Sequence, residues 1–86
     1  MARFDVLVEV QLRPGISDPQ GSTIERALPG LGFDAIERVH FGKAIRFSME
    51  ADDEGAARGA VEELCKRFLT NPVIEDATIT IEEAHA

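Results

Sequence analysis

The chain of 86 residues has room for a single domain, residues 1–86, with only a thin hydrophobic core. Its formal net charge of −7 repels nucleic acid and anionic membranes. No apolar run approaches the roughly 20 residues that cross a bilayer, and no apolar signal segment opens the sequence, so we expect a cytoplasmic location. The single cysteine cannot form an internal disulfide, and no Cys/His spacing predicts a metal site.

The first predicted element is a β-strand from Arg3 to Leu12, because apolar and polar side chains alternate along it. Leu7 is the one apolar residue on the polar face, where it could contact a partner or a second sheet. Pro14-Gly15 ends the strand. The apolar face carries Phe4, Val6, Val8, Val10 and Leu12.

The next predicted element is a helix that begins at Asp18-Pro19. The aspartate can accept a hydrogen bond from a free backbone N–H of the first turn, and proline is tolerated at the first helical position. Pro29 interrupts the pattern that follows, so we expect the helix to end near Leu28 or to kink there. The residues with helical spacing are Ile24, Ala27, Leu28 and Leu31.

A β-hairpin is predicted in the middle of the chain. Ala35–Phe41 and Ala44–Glu50 have the composition of two short strands, and Gly42-Lys43 lies between them. A Gly-X pair suits a two-residue turn, because glycine tolerates the positive φ that the first turn position requires.

A second helix is expected to begin at Asp52 or Asp53 and to continue to about Leu69, where Asn71-Pro72 stops it. Acidic residues at its start and basic residues near its end complement the helix dipole. Its apolar stripe is the most regular feature of the sequence and comprises Ala57, Ala60, Val61, Leu64, Cys65, Phe68 and Leu69.

A last strand, Ile74–Glu82, completes the order β-α-β-β-α-β. With right-handed crossovers, this order builds a four-stranded antiparallel sheet with both helices on one face. The predicted fold is therefore α+β and ferredoxin-like. The uncovered face of such a sheet is usually an interface.

Catalysis needs a nucleophile with a base, or paired groups of shifted pKa, converging on a pocket. Cys65 lies on the apolar stripe and is expected in the core, His40 is expected on an exposed strand, and His85 lies in the tail. The glycines form neither a dinucleotide-binding fingerprint nor a P-loop. The five aromatic residues are all Phe, and with the acidic charge they argue against RNA binding on the sheet. These features predict an interaction or regulatory module without an active site.

Three segments in register resemble the PurS family. Residues 12–21 (LRPGISDPQG) are similar to its strand-to-helix passage, residues 39–43 (VHFGK) to its V-R-x-G-K hairpin, and residues 69–76 (LTNPVIED) to its L-A-N-P-V-I-E helix exit. The resemblance extends from Phe4 to about Glu82. His40 replaces a common arginine, and Pro29 is an unusual residue inside the first helix.

The resemblance implies the small subunit of phosphoribosylformylglycinamidine (FGAM) synthase, a ligase of purine biosynthesis. That complex converts formylglycinamide ribonucleotide, glutamine and ATP into formylglycinamidine ribonucleotide, glutamate, ADP and phosphate. A large synthetase subunit and a glutaminase subunit would carry the chemistry and use ATP and Mg. This chain would be a homodimer that bridges them and assists ammonia transfer, with no catalytic, cofactor-binding or metal-binding residue of its own.

The residues of the three motifs are therefore our candidates for partner contacts. Arg13 and Gln20 are the strongest of them, because turn chemistry does not require their side chains, which can hydrogen-bond a partner. The full set is Arg13, Gly15, Asp18, Gln20, Gly21, Gly42, Lys43, Asn71 and Pro72.

The alternative function is a stand-alone amino-acid sensor of the ferredoxin-like kind. Its signature would be a Gly-rich loop after the first strand at a dimer interface, and Pro14-Gly15 is a minimal version of such a loop. Free amino acids would raise the melting temperature of a sensor and would leave a bridging subunit unchanged. A third possible function is that of an independent small enzyme, but the sequence contains no catalytic cluster.

Overall fold

The computed structural model describes residues 1–84, and His85 and Ala86 lie outside the described residues. Three strands and two helices follow one another, with a 3₁₀ turn after the first helix and a π turn after the second. The elements are β1 (Ala2–Leu12), α1 (Pro19–Ala27), the 3₁₀ turn (Pro29–Leu31), β2 (Gly42–Ala51), α2 (Glu54–Leu64), the π turn (Cys65–Leu69) and β3 (Glu75–Glu83).

The sheet is antiparallel with the order β2-β1-β3, so the first strand is the central one. Val6 lies opposite Phe47 on one side and Ile81 on the other. The alternation predicted for β1 is confirmed, because Phe4, Val6, Val8 and Val10 are buried while their neighbours face outward. The core comprises Phe4, Val6, Val8, Val10, Ala51, Ala57, Val61, Cys65 and Ile81.

The predicted fourth strand is wrong for the described residues. Residues 35–41 form no strand, and Arg38 has a φ of 58°, which interrupts an extended backbone. Gly42 and Lys43 are not a turn: they belong to β2 and lie opposite Gln11 and Val10 of β1. The observed order is β-α-β-α-β, with a long connection in place of the hairpin.

The predicted start and end of α1 are confirmed, but α1 does not share a layer with α2. The helix begins after Asp18 and ends at Ala27, and Pro29 opens the 3₁₀ turn that follows. No buried core residue comes from 12–44, so the helical side chains of the core come from α2 and the π turn that follows it. The predicted arrangement of two helices on one face is therefore not formed within one chain.

The second helix buries only part of its predicted stripe. Ala57, Val61 and Cys65 lie in the core, whereas Leu64 is 37% exposed and Phe68 is 80% exposed. The core position predicted for Cys65 is confirmed, and burial, with the nearby Glu62 carboxylate, raises the pKa of its thiol above the ordinary value. A raised thiol pKa disfavours a reactive thiolate at this position.

The chain is much more extended than a compact protein of its size. Its radius of gyration is 16.7 Å, and its dimensions are 52 × 31 × 15 Å, whereas a compact domain of this length has a radius of about 12 Å. Its accessible surface is 6351 Å², while about 5,000 Å² is typical of a monomer of this mass. The chain therefore exposes roughly 1,300 Å² more surface than a compact monomer of its mass.

Replacement of Gly42 by alanine should destabilise the fold by about 1 kcal/mol or more. The reason is close approach within the sheet, not a positive φ: a Cβ on Gly42 would lie 2.7 Å from the backbone oxygen of Val10. Gly59→Ala is the matched control, because a Cβ there meets nothing within 4 Å and alanine in a helix is favoured over glycine by about 0.5–1 kcal/mol. Denaturant melts that show equal effects of the two substitutions would contradict this account of Gly42.

Candidate partner interface

The carboxylate of Asp18 joins the start of α1 to the segment before β2. Its Oδ1 accepts a hydrogen bond from the backbone N–H of Gly21 at 2.9 Å, and its Oδ2 accepts one from Phe41, also at 2.9 Å. The first bond caps the helix and the second fixes the end of the connection. Only 12% of the side chain is exposed, and Nδ1 of His40 lies 3.7 Å from Oδ2.

The connection from Gly32 to Phe41 is held along α1 by two further features. Glu25 accepts a hydrogen bond from the backbone N–H of Val39 at 2.8 Å. Gly21 is buried, and the carbonyl of Val39 occupies the space that a Cβ at Gly21 would need. The helix, the 3₁₀ turn and the connection thus form one hydrogen-bonded unit, residues 19–41, which we call the arm.

The hydrogen bonds at Asp18 determine its ionisation. The backbone N–H groups of Gly21 and Phe41 lower the pKa of the Asp18 carboxyl, burial opposes them, and His40 lowers the pKa further. The pKa of Asp18 in the folded state is below its ordinary value. The ionised carboxylate therefore stabilises the fold at any pH above the ordinary pKa. This stabilisation is lost as the pH falls through the folded pKa.

Arg13 connects the β1–α1 turn with the α2–β3 loop. Its backbone N–H donates to the carbonyl of Ile74 at 2.8 Å, and its guanidinium donates to the carbonyls of Pro72 and Glu75. The same guanidinium lies 3.3 Å from a carboxylate oxygen of Asp76. The structure therefore brings the first and third sequence motifs together, although they are distant in the sequence.

Turn geometry accounts for Asn71-Pro72. The side-chain oxygen of Asn71 accepts from Val73 at 3.2 Å, and the backbone N–H of Asn71 donates to the Glu75 carboxylate at 2.7 Å. These contacts stop the second helix and direct the chain into β3. Asn71 and Pro72 are exposed, so a contact with a partner remains a prediction for both.

Two adjacent clefts collect most of the candidate residues at this end of the sheet. A cleft of about 670 Å³ is lined by Arg13, Gly15, Asp18 and His40 among others. A smaller one, of about 250 Å³, is lined by Asp18, Gln20, Gly42 and Lys43 among others, so Asp18 borders both. We call the two together the motif clefts.

The strongest two candidates differ in what their side chains contact. Arg13 is engaged with its own chain, as described above, so its truncation would disturb the junction of the loops. Gln20 is exposed and makes no side-chain hydrogen bond within residues 1–84. Substitution of Gln20 therefore tests a partner contact without removing a hydrogen bond within the described part of the chain.

The uncovered face of the sheet is mainly polar. Ser48 donates from its hydroxyl to a carboxylate oxygen of Asp5 at 2.9 Å, and the neighbouring row places Leu7 between Arg46 and Thr80. Leu7 is half-buried there. A partner contact at Leu7 remains a prediction.

Sequence reasoning missed the role of Glu25 and the exposed apolar side chains of the arm. A glutamate on a helix surface gives no sign that it holds a segment 14 residues away. Phe33 and Ile36 are more than 45% exposed, and Ile36 lies in the segment 35–41 that the sequence predicts as a strand. The sequence shows that these positions are apolar, but their exposure becomes evident only once the fold is known.

Within the described part of the chain, no group of three His, Cys, Asp or Glu side chains could hold a metal ion. None of the described helices is long and apolar enough to cross a membrane. Clefts lined by turn residues and an apolar arm are typical of a small α+β protein that contacts other proteins.

The chain matches the family model described as PurS, phosphoribosylformylglycinamidine (FGAM) synthase, over residues 5–83. It is 40% identical over 80 residues to the PurS subunit of phosphoribosylformylglycinamidine synthase from Methanocaldococcus jannaschii, covering 93% of this chain and 96% of that one. This chain belongs to the PurS family.

Solved structures of PurS proteins also match this chain. The crystal structure of Methanocaldococcus jannaschii PurS matches with a TM-score of 0.86 at 36% identity, covering 95% of this chain and 99% of that one. A chain of the PurLQS structure from Thermotoga maritima matches with a TM-score of 0.83 at 32% identity, covering 98% and 100%.

Asp18→Asn should release the end of the connection at Phe41 from the start of α1, while leaving the helix start in place. An amide has one oxygen, so it can replace the acceptor for Gly21 but not that for Phe41 as well, and asparagine is a good N-cap. We expect the hydrogen-exchange protection of the Phe41 amide to fall severalfold, and that of Gly21 to change little. Asp52→Asn, at an exposed position beside the α2 cap, is the control.

The same measurement has a pH dependence. In the unsubstituted chain, protection of Phe41 corrected for intrinsic exchange should decline below about pH 4, since the ordinary carboxyl value is 3.8 and the folded value is lower. In Asp18→Asn this decline should be absent. Equal pH profiles in the two proteins would show that Asp18 does not hold the arm.

Proposed function

We propose that this chain is the small, non-catalytic subunit of an FGAM synthase complex in purine biosynthesis. The observation that carries the proposal is the match to the PurS family over residues 5–83, together with near-complete coverage of relatives that are themselves named as subunits. The same match favours this function over a stand-alone amino-acid sensor. The complex, as a ligase, would make formylglycinamidine ribonucleotide from formylglycinamide ribonucleotide, glutamine and ATP.

The role of the chain would be to bridge the synthetase and glutaminase subunits. Ammonia released from glutamine is protonated or lost if it meets bulk water, so the two active sites have to be connected by a closed path. A small protein with contact surfaces and no chemistry of its own can seal such a path. ATP and Mg would be used by the larger subunits, and the complex would work in the cytoplasm.

The motif clefts support a bridging role because they gather the family's motif residues at one end of the sheet. Asp18 borders both clefts and is committed to backbone contacts, which fixes the shape of the surface around it. Exposed Gln20 and Lys43 line the smaller cleft and can donate hydrogen bonds to a partner. We infer that this end of the molecule meets a larger subunit.

A homodimer is the second part of the proposal. Within residues 1–84 the core contains nine buried residues, and the chain carries roughly 1,300 Å² more surface than a compact monomer. A stable interface of ordinary size buries about 800 Å² on each partner, so the extra surface is sufficient for one. Association is a common route to stability for a chain this small.

The isolated protein should therefore be a folded dimer at micromolar concentration, with twice the chain mass of 9.4 kDa. Sedimentation equilibrium measures this directly, and circular dichroism establishes that the sedimenting species is folded. A folded monomer across that concentration range would contradict the dimer and would leave the subunit function open.

Adding the protein to the synthetase and glutaminase subunits should restore glutamine-dependent synthesis of formylglycinamidine ribonucleotide. Synthesis from free ammonia should depend on it much less, because ammonia then needs no protected path. The protein alone should show neither glutaminase nor ATPase activity. Glutamine-dependent synthesis at the full rate without this chain would overturn the proposed function.

The same assay tests the partner contact at Gln20. Gln20→Ala should lower the glutamine-dependent rate and leave the melting temperature nearly unchanged, since surface truncations usually change stability by about 0.5 kcal/mol or less. Ser22→Ala, an exposed substitution in the same helix, is the control. If both variants support the wild-type rate, Gln20 lies outside the interface.

A further inference from the structure

The outer edge of β3 has no strand beside it. Within the part of the chain that the structure describes, β3 pairs only with β1, in a register that runs without interruption from Glu75 to Glu83. A strand at the edge of a sheet presents a row of backbone N–H and C=O groups that can pair with another chain. β3 is nine residues long, which is long enough to bind an extended segment as an additional strand.

The hydrogen bonds at the two ends of β3 show which residues face the open side. Arg13 donates its backbone N–H to the carbonyl of Ile74, and Ala84 donates its backbone N–H to the carbonyl of Arg3. The backbone groups of successive residues in an antiparallel strand point alternately to opposite sides. The even-numbered residues of β3 therefore bind β1, and the odd-numbered residues direct their N–H and C=O groups away from it. Beyond Glu75, these outward residues are Ala77, Ile79, Ile81 and Glu83.

β3 lacks the features that usually prevent an edge strand from pairing with another chain. Natural edge strands are commonly protected by proline, by lysine or by a bulge. The centre of β3, residues 77–81 (ATITI), contains no proline, glycine or charged residue and has a high β propensity. By contrast β2, at the opposite edge of the sheet, carries Lys43 and Arg46. Of the two edges, β3 is therefore the one open to pairing.

The acidic residues at the start of β3 already have partners within the chain. The carboxylate of Asp76 lies 3.3 Å from Nε of Arg13. The carboxylate of Glu75 accepts a hydrogen bond from the backbone N–H of Asn71 at 2.7 Å. Both carboxylates therefore belong to the junction of the two loops, and neither requires a partner from another chain.

The acidic residues at the end of β3 have no such partners. Neither Glu82 nor Glu83 forms an ion pair with another residue of the range 1–84. Glu82 also lies directly opposite Asp5 in the sheet, and like charges in that position repel each other. A lysine or arginine brought to this end by another strand would offset the repulsion. The charge therefore favours a basic segment as the occupant of the edge.

We propose that β3 binds an extended, basic segment of a larger subunit as an added strand. The inference rests on the proposed function, and it specifies a contact beyond the motif clefts. The segment would pair with the outward backbone groups of residues 77–83 and would place a lysine or arginine beside Glu83. Backbone pairing would supply affinity, and the charge would fix the register of the added strand.

Hydrogen exchange with residue resolution tests the pairing directly. The amides of the even-numbered residues of β3 are bonded to β1 and should change little when the synthetase and glutaminase subunits are added. The amides of residues 77, 79, 81 and 83 should become protected about tenfold or more, because each can gain a carbonyl partner. A partner that only covers a face of the sheet would not select every second amide. Adding each subunit separately identifies the one that supplies the strand.

Proline at position 77 tests the same contact by substitution. Ala77 is exposed and its N–H points away from β1, so Ala77→Pro removes a donor without removing a hydrogen bond of the described sheet. It should weaken the binding of the larger subunit about tenfold. Ala77→Ser, which keeps the N–H, is the matched control. Circular dichroism and sedimentation should show the same fold and oligomeric state for both variants.

Charge reversal tests the basic residue of the partner. Glu83→Lys should weaken the binding of the larger subunit severalfold, and the difference from the unsubstituted chain should shrink at high salt. Glu62→Lys, at an exposed position of α2, changes the net charge equally and should have little effect. Equal losses in the two variants would show that only the net charge matters, and would remove the basic residue from the proposal.

The outcomes separate the added strand from the function on which it rests. A complex that assembles normally without alternating protection, or equal binding of Ala77→Pro and Ala77→Ser, would overturn the added strand and leave the proposed function intact. Alternating protection already present in the isolated protein would show that two copies pair through β3, and would overturn the choice of a larger subunit. A chain that joins neither the synthetase nor the glutaminase would overturn the proposed function and this inference with it.

Discussion

The two oxygens of one carboxylate determine how the middle of this protein is arranged. Because Asp18 binds both Gly21 and Phe41, the start of the first helix and the entry to β2 are fixed to a common point. The connection returns along the helix, where Glu25 accepts a further hydrogen bond from the backbone N–H of Val39. The two clefts that Asp18 borders lie where these contacts meet.

Local sequence patterns were sufficient for the elements that have a strong period or a clear cap. The alternation in β1, the start of α1 at Asp18 and the core position of Cys65 were all predicted correctly. The hairpin was not, because a Gly-Lys pair between two apolar runs has the same composition as a tight turn. Gly42 instead belongs to β2, where it lies close to the backbone of Val10. This contact comes from a strand about 30 residues away, so the local sequence does not indicate it.

The candidate site was predictable only in part, for a related reason. The first and third motifs contain turn residues whose local roles are readable, but their contact through Arg13 depends on the complete sheet. The predicted arrangement, in which both helices cover one face, also satisfied the sequence, since apolar spacing indicates that a side chain needs cover and does not say what provides it. Family membership adds what the residues alone do not state, the kind of assembly in which such a surface is useful.

The central position of β1 has a consequence for how the protein folds. Strand β1 pairs along most of its length with β3, so that Phe4 lies opposite Glu83 and Leu12 opposite Glu75. Such contacts between distant parts of a sequence carry a large loop-closure entropy and slow folding. The sheet cannot be completed until β3 is available, and until then one edge of β1 carries unpaired backbone N–H and C=O groups. Rapid capture of the nascent β1 strand, by a chaperone or by another chain, would therefore favour the yield of native protein.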